Sequence, residues 1–196
     1  MTDKIVYFLR HGQAESNANH FFAGQGDVPL TEKGVAEAIA TAPLLQHISF
    51  DKVYCSDLQR ARHTAALALP HVTCTYTSRI REIDVGTLAF QYFTDCENRY
   101  GELFANSRAN GDYSPFGGES REMLDTRIRA FLEELTQADE GAVICIVCHG
   151  GVMQSVARYV LGSSRGLAMS DNCGISVFRI KDGEWKLHKW NVTVEL

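Results

Sequence analysis

Arg10, His11 and Gly12 close the apolar run Val6-Tyr7-Phe8-Leu9, so a guanidinium, an imidazole and a residue without a side chain follow directly on a strand-like segment. A second junction of this kind is Val147-Cys148-His149-Gly150-Gly151, and Arg60 lies four residues after Ser56, at the end of another apolar stretch. A guanidinium beside an imidazole suits an oxyanion, most economically a phosphate. Arginine stays charged at working pH, and its planar fork of donors matches such oxygens. One Arg-His-Gly tripeptide could equally end a strand on a surface loop. Two His-Gly strand ends accompanied by arginines are harder to dismiss, and together they make a coherent anion site. Arg60, one turn into a helix that starts after Ser56, can reach back toward the strand ends. Arg62 projects about 200° away around the same helix and is expected in solvent.

These residues meet only if the strands carrying them lie side by side in the same direction. Residues 4–9, 52–55, 72–76 and 142–147 read as strands, the last as a continuous apolar run of the kind buried parallel strands show. Helical patterns separate them. Val35, Ala38, Ile39, Ala42 and Leu45 recur at helical spacing behind Thr31 as N-cap, with Pro43 expected to kink or shorten the helix. A helix capped by Ser56 or Asp57 runs to about residue 69. Another over 120–135 carries an apolar face of Met123, Leu124, Ile128, Phe131, Leu132 and Leu135, and a last one over 152–161 follows Gly150-Gly151. Two strands over 174–180 and 184–190, joined by Lys181-Asp182-Gly183, form a hairpin. Strands alternating with helices imply an α/β three-layer sandwich: a mainly parallel sheet with an antiparallel edge and helices on both faces. Ligands of such sheets gather outside the carboxyl ends of the strands, so Arg10-His11, the turn after Ser56 and His149 should share one rim. Between Ile80 and Gly118 the periodicity is weak, and Gly101, Gly111, Pro115 and Gly117-Gly118 break it up. Residues 83–118 are expected to form an irregular lid or substrate segment carrying some helix, within a single domain over 1–196.

Composition narrows the partners. The chain of 196 residues is 45% hydrophobic and 22% charged, with a formal charge of −5 and a pI near 5.8. That balance argues against nucleic acid and anionic membranes, both of which need a basic footprint. A small phosphorylated substrate would need a local cluster of cations. Residues 1–30 lack the basic start and long apolar stretch of an export signal, and the run over 142–148 is too short to cross a bilayer, so a cytoplasmic location is expected. The six cysteines are scattered, as thiols filling apolar sites would be. Cys145-Ile146-Val147-Cys148-His149 fits the C-x-x-C-H pattern of haem attachment. In a strand, however, residues three apart point to opposite faces about 10 Å from one another, beyond disulfide reach. No carboxylate cluster with ligand spacing accompanies the histidines, so no metal and no cofactor are expected.

The chain resembles the histidine phosphatase superfamily, also called phosphoglycerate mutase-like. The matching blocks are Leu9-Arg10-His11-Gly12 with Asn17, Pro29-Leu30-Thr31 with Gly34, and Ser56-Asp57-Leu58-Gln59-Arg60-Ala61 with Thr64-Ala65. They continue with Glu82 and Gly86, then Gly117-Gly118-Glu119-Ser120, and end with Val147-Cys148-His149-Gly150-Gly151. The resemblance implies a three-layer α/β fold and a phosphohistidine mechanism. By position, His11 would be the nucleophile, attacking phosphorus through Nε2 while a backbone carbonyl holds its other nitrogen, which requires a neutral imidazole. Arg10, Arg60 and His149 would hold the equatorial oxygens of the transferring phosphoryl group. Asn17, the Gly24 backbone and Gly150 would complete the pocket. Glu82 would protonate the leaving oxygen and then deprotonate water, with Asp84 the nearby alternative. The chain departs from the family at Thr87-Leu88-Ala89, where many relatives carry Trp-Glu-Gly, and at Ala23, where relatives often offer a polar side chain. The implied activity is metal-independent hydrolysis of a phosphomonoester. Mutase-type phosphoryl transfer and a catalytically silent phospho-binding domain are the alternatives. Mutase relatives carry a longer insertion with adjacent arginines after the acid, whereas here Arg99 and Arg108 stand apart.

Overall fold

The computed structural model describes residues 3–139 and 141–194. In chain order its elements are β1 (Lys4–Arg10), α1 (Glu15–Ala18), α2 (Glu32–Leu45), β2 (Lys52–Ser56), α3 (Gln59–Ala68) and β3 (Thr75–Thr77). After these come α4 (Phe93–Tyr100), α5 (Glu102–Asn110), α6 (Arg121–Gln137), β4 (Val143–Cys148), α7 (Gly150–Leu161), β5 (Ile175–Lys181) and β6 (Glu184–Val192). The sheet order is β3-β2-β4-β1-β5-β6. The first four strands in that order are mutually parallel, while β5 runs antiparallel to β1 and β6 antiparallel to β5.

Strand alternation divides the core into two layers. Val6 and Phe8 of β1, Ile144, Ile146 and Cys148 of β4, and Phe178 and Ile180 of β5 pack beneath Leu124, Ile128, Leu132, Val152 and Val156 of α6 and α7. Leu9, Cys145, Val147, Ile175 and Val177 face the other way, against Ala38, Leu45, Ala61, Ala65 and Ala68 of α2 and α3. Cys145 and Cys148 therefore belong to opposite layers, and all six thiols are free. Lys4 ties the layers together at the base of the sheet. Its buried ammonium donates to the carbonyls of Leu135 at 2.6 Å and Thr136 at 3.2 Å and to that of Ala138, closing the C-terminus of α6. No described helix is long and apolar enough to cross a membrane.

Local chemistry sets the element ends. Thr31 Oγ1 accepts from Gly34 N–H at 3.0 Å and Ser120 Oγ from Met123 N–H at 3.3 Å, capping α2 and α6. The hairpin between β5 and β6 turns through Asp182 and Gly183 at φ of 53° and 83°, the paired left-handed conformations of a type I′ turn. Four expectations need correction. Neither Ser56 nor Asp57 caps α3: Leu58 is the N-cap, and the Gln59 N–H donates to Asp27 Oδ1 at 2.8 Å. Asp57 is engaged instead by a bidentate pair with Arg81, at 2.7 Å for both bonds. Pro43 does not shorten α2, because it sits in the last turn beside exposed Ile39, where one lost hydrogen bond faces solvent. Met123, expected on the apolar face of α6, is 54% exposed. The third strand is only Thr75–Thr77, with exposed Thr75 and Tyr76.

The segment between Ile80 and Gly118 has a core of its own, built from Val85, Leu88, Cys96, Phe104, Tyr113 and Phe116. It is more helical than its sequence suggests. Within α4 only Cys96 is buried, and within α5 only Phe104 and Ser107, so neither helix writes a readable stripe. Leu88, in the stretch that departs from the family pattern, is fully buried in this cluster.

Candidate active site

The C-terminal end of β1 is gripped from both sides. The His11 N–H donates to the Cys148 carbonyl at 3.0 Å and the Arg10 N–H to that of Gly174 at 3.1 Å, extending the ladders to β4 and β5. The His11 carbonyl accepts from the Asn172 side chain at 3.0 Å and from Cys173 N–H at 3.3 Å. Gly12 passes so close to α2 that a Cβ there would lie 2.5 Å from the Gly34 carbonyl oxygen. Its N–H donates to Thr64 Oγ1 at 3.0 Å, and Thr64 donates in turn to the Arg60 carbonyl at 2.7 Å. One buried hydroxyl thus joins the histidine loop to the helix that carries Arg60.

His11 is 3% exposed, and its Nδ1 lies 2.7 Å from the Gly12 carbonyl. A carbonyl only accepts, so Nδ1 carries the proton and Nε2 keeps its lone pair. Burial, reinforced by the charges of Arg60 and Arg10, drives this imidazole well below its ordinary pKa, against the Gly12 carbonyl that pulls it up. His149 lies across from it, with ring centroids 5.1 Å apart. Its Nε2 is 2.7 Å from Ser56 Oγ, a contact set by the register that pairs Cys55 of β2 with Val147 of β4. Ser56 Oγ also accepts from the Leu58 N–H at 3.4 Å. The other ring nitrogen of His149, Nδ1, is buried with no partner among the described residues. Burial first, then Arg60, His11 and Arg10, hold His149 neutral as well.

The guanidiniums are fixed by carbonyls, not by carboxylates. Arg60, 1% exposed, donates to the Gly26 and Gly24 carbonyls at 2.9 and 2.8 Å. Arg10 donates through Nη1 to the Ser170 carbonyl, and its buried Nε has no partner among the described residues. Two guanidiniums held by carbonyls, with the unpartnered nitrogens Arg10 Nε and His149 Nδ1 beside them, suit a multiply charged oxyanion. Burial lowers the pKa of both guanidiniums, with Glu82 the first of the charges that oppose it.

Glu82 is held at both oxygens: Oε1 accepts from Ile83 N–H at 2.9 Å and Oε2 from Gly151 N–H at 3.0 Å. The second donor is an orphan of the first turn of α7. A Cβ at Gly151 would lie 2.1 Å from Glu82 Oε1, so a side chain there would push the carboxylate out of this position. Behind it stands Arg127 of α6. Its guanidinium binds Glu119 through Nε at 3.0 Å and Nη2 at 2.7 Å, and donates to the carbonyls of Arg79, Arg81 and Glu82 at 3.0, 3.0 and 3.4 Å. Glu119 also accepts from Asp84 N–H at 2.9 Å. Asp84, the alternative acid, turns its carboxylate onto Gly86 N–H at 2.9 Å.

Arg10, His11, Asn17, Gly24, Arg60 and Glu82 line one cavity of about 310 Å³. His149 is buried beneath this wall, against His11. Gly150 packs near Arg10, and its neighbour Gly151 reaches the cavity in its place. Ala23 lines the wall as an apolar patch. Ser16, which the sequence assigns no role, is a buried member of the same wall. Sequence reasoning also missed Asn172, which donates to the His11 carbonyl and lies 3.5 Å from Asn17 Oδ1, and Arg127. Both act from segments far along the chain, and no local pattern marks them. Among the described residues, no group of three or more His, Cys, Asp or Glu side chains could hold a metal ion.

The chain is 30% identical to a probable phosphoglycerate mutase, GpmB, of Salmonella choleraesuis, over 95% of this chain and 90% of that protein. Among solved structures it is similar to the alpha-ribazole phosphatase of Shigella flexneri, with 25% identity, 98% of both chains covered and a TM-score of 0.88. A mycobacterial glucosyl-3-phosphoglycerate phosphatase is similar at 25% identity, with 98% of this chain and all of that chain covered and a TM-score of 0.86. The sequence profile of the histidine phosphatase superfamily, branch 1, matches residues 6–193. With that match running from the first strand past the last, the chain belongs to the histidine phosphatase superfamily.

Proposed function

We propose that the protein is a phosphomonoester hydrolase that acts on a small phosphorylated metabolite through a phosphohistidine at His11. One observation carries the reading. A neutral imidazole, its proton tied to the Gly12 carbonyl, lines a cavity shared with two guanidiniums and a carboxyl group. In the first step His11 Nε2 attacks phosphorus, the bond to the ester oxygen breaks, and a proton held at Glu82 passes to that oxygen. Charge spreads over the equatorial oxygens, where Arg10, Arg60 and His149 receive it. In the second step Glu82 takes a proton from water as the water oxygen attacks phosphorus. The N–P bond breaks, and inorganic phosphate leaves a neutral imidazole behind. The positive charge comes from arginines, so the reading needs no metal. The chain's charge of −5 supports a small-molecule substrate over nucleic acid or anionic-membrane partners.

A second reading, phosphoglycerate mutase-type transfer, draws on the relative that bears that name. Retention of a bisphosphate intermediate would need further cations over the cavity. Of the two lid arginines, Arg99 lies 5.4 Å over the Tyr100 ring, away from the cavity, and only Arg108 lines it. The two readings separate on incubation with 3-phosphoglycerate and catalytic 2,3-bisphosphoglycerate. Inorganic phosphate is expected to appear faster than the 2- and 3-phospho isomers interconvert, and the reverse order would refute the hydrolase.

A further inference from the structure

The cavity is lined by two kinds of group: the cations with His11 and Glu82, and an apolar wall of Phe21, Phe22, Phe93, Tyr113 and Met169. We propose that the leaving group accepted here is a single compact apolar ring, so that the substrate class is ring-bearing phosphomonoesters and not phosphorylated polyols or acids. This inference rests on the hydrolase reading and gives it a substrate.

The aromatic wall is built, not incidental. Phe22 sits at its centre, edge-to-face with Phe93 at 4.5 Å, with Tyr113 at 5.7 Å and with Phe104 of the lid core at 5.7 Å. Each ring is thereby held at an angle that a flat guest can match by stacking or by its edge. Arg108, which also lines the cavity, does not convert this wall into an anion site. Its guanidinium covers the Phe93 ring at 4.9 Å and pairs with Glu97 at 3.4 Å. A glycerate or sugar leaving group would bring several hydroxyls or a carboxylate to walls with few partners for them, and buried polar groups left unpaired cost binding. Met169, 57% exposed on the loop before β5, offers an adaptable thioether at the mouth. At about 310 Å³ the cavity lies at the small end of ligand pockets and has room for a phosphoryl group and a ring.

Benzyl phosphate, ethyl phosphate and 3-phosphoglycerate test this, since the leaving alcohols of the first two are alike in acidity and differ mainly in the ring. The expected result is a kcat/KM at least ten-fold higher for benzyl phosphate than for either of the others. Phe93→Ala and Met169→Ala should each lower that ratio several-fold, and the exposed position of Met169 keeps its variant independent of lid folding. Equal hydrolysis of all three, or preference for 3-phosphoglycerate, would overturn the inference alone. No release of phosphate from any of them would overturn the hydrolase reading and this inference with it.

Discussion

A histidine between two buried guanidiniums is a poor base and, for the same reason, a ready nucleophile. At His11 the lone pair on Nε2 survives at neutral pH because burial and the charges of Arg60 and Arg10 penalise the imidazolium. The same forces act on His149. Both groups have a folded pKa below the unfolded value near 6.5, so as pH falls through that value the unfolded chain takes up protons that the folded chain refuses. Stability is therefore fully present above the unfolded pKa and lost below it, with a slope of up to ~2.7 kcal/mol per pH unit for two such histidines. Denaturant unfolding in phosphate-free buffer should show a loss of about 2 kcal/mol between pH 6.5 and 5.5. His11→Gln and His149→Gln should each remove about half of that dependence. A profile as steep in both variants as in the parent protein would mean that the imidazoles are not held neutral.

At the scale of elements, the arrangement depends on α6 as much as on any strand end. Arg127 gathers the carbonyls of Arg79, Arg81 and Glu82 and clamps Glu119, so the segment carrying Glu82 is fastened to a helix that packs on the sheet. Arg127 does not line the cavity that holds His11, so in the proposed reaction it acts as a positioning residue. Arg127→Met should lower kcat/KM for alkyl phosphates by about 10- to 100-fold, the range that an ångström of misplacement commands. The loss should be much smaller for p-nitrophenyl phosphate, whose leaving oxygen needs no proton. Arg127→Lys should not restore the rate, because an ammonium cannot reproduce the bidentate fork. Equal losses for both ester types would reduce Arg127 to a general stabiliser of the fold. This brace was not legible in the sequence, since its contacts cross from 8 to 48 positions along the chain and involve main-chain carbonyls, which carry no residue signature. The strand ends were legible for the opposite reason. Apolar runs that stop at Arg10-His11 and at His149 announce both the strand and its cargo, and parallel pairing of β1 with β4 then aligns Arg10 with Cys148, one residue short of His149. Capping was read correctly at Thr31, where the cap is local, and wrongly at α3, where it comes from Asp27 in another loop.

Over the whole molecule, a central strand flanked by β4 and β5 carries His11 at its end, and helices pack on both faces of the sheet. The segment between Ile80 and Gly118 adds a small core of its own, and Glu82 lies at its start, between Arg127 and Gly151. The helices of that segment were unreadable because they bury so few residues, and so the sequence describes the strand-end wall of the cavity far better than the wall that Phe93 and Tyr113 supply. In the proposed reaction the two sides of the cavity meet at a covalent intermediate. The most direct test is rapid acid-free quenching of the protein during turnover of a phosphomonoester, followed by peptide mass spectrometry. A phosphoryl group on His11, stable to alkali and lost in acid, should appear within the first turnover, and His11→Ala should show neither the adduct nor turnover above background. Turnover with no adduct, an adduct on another residue, or full activity in His11→Ala would contradict the account.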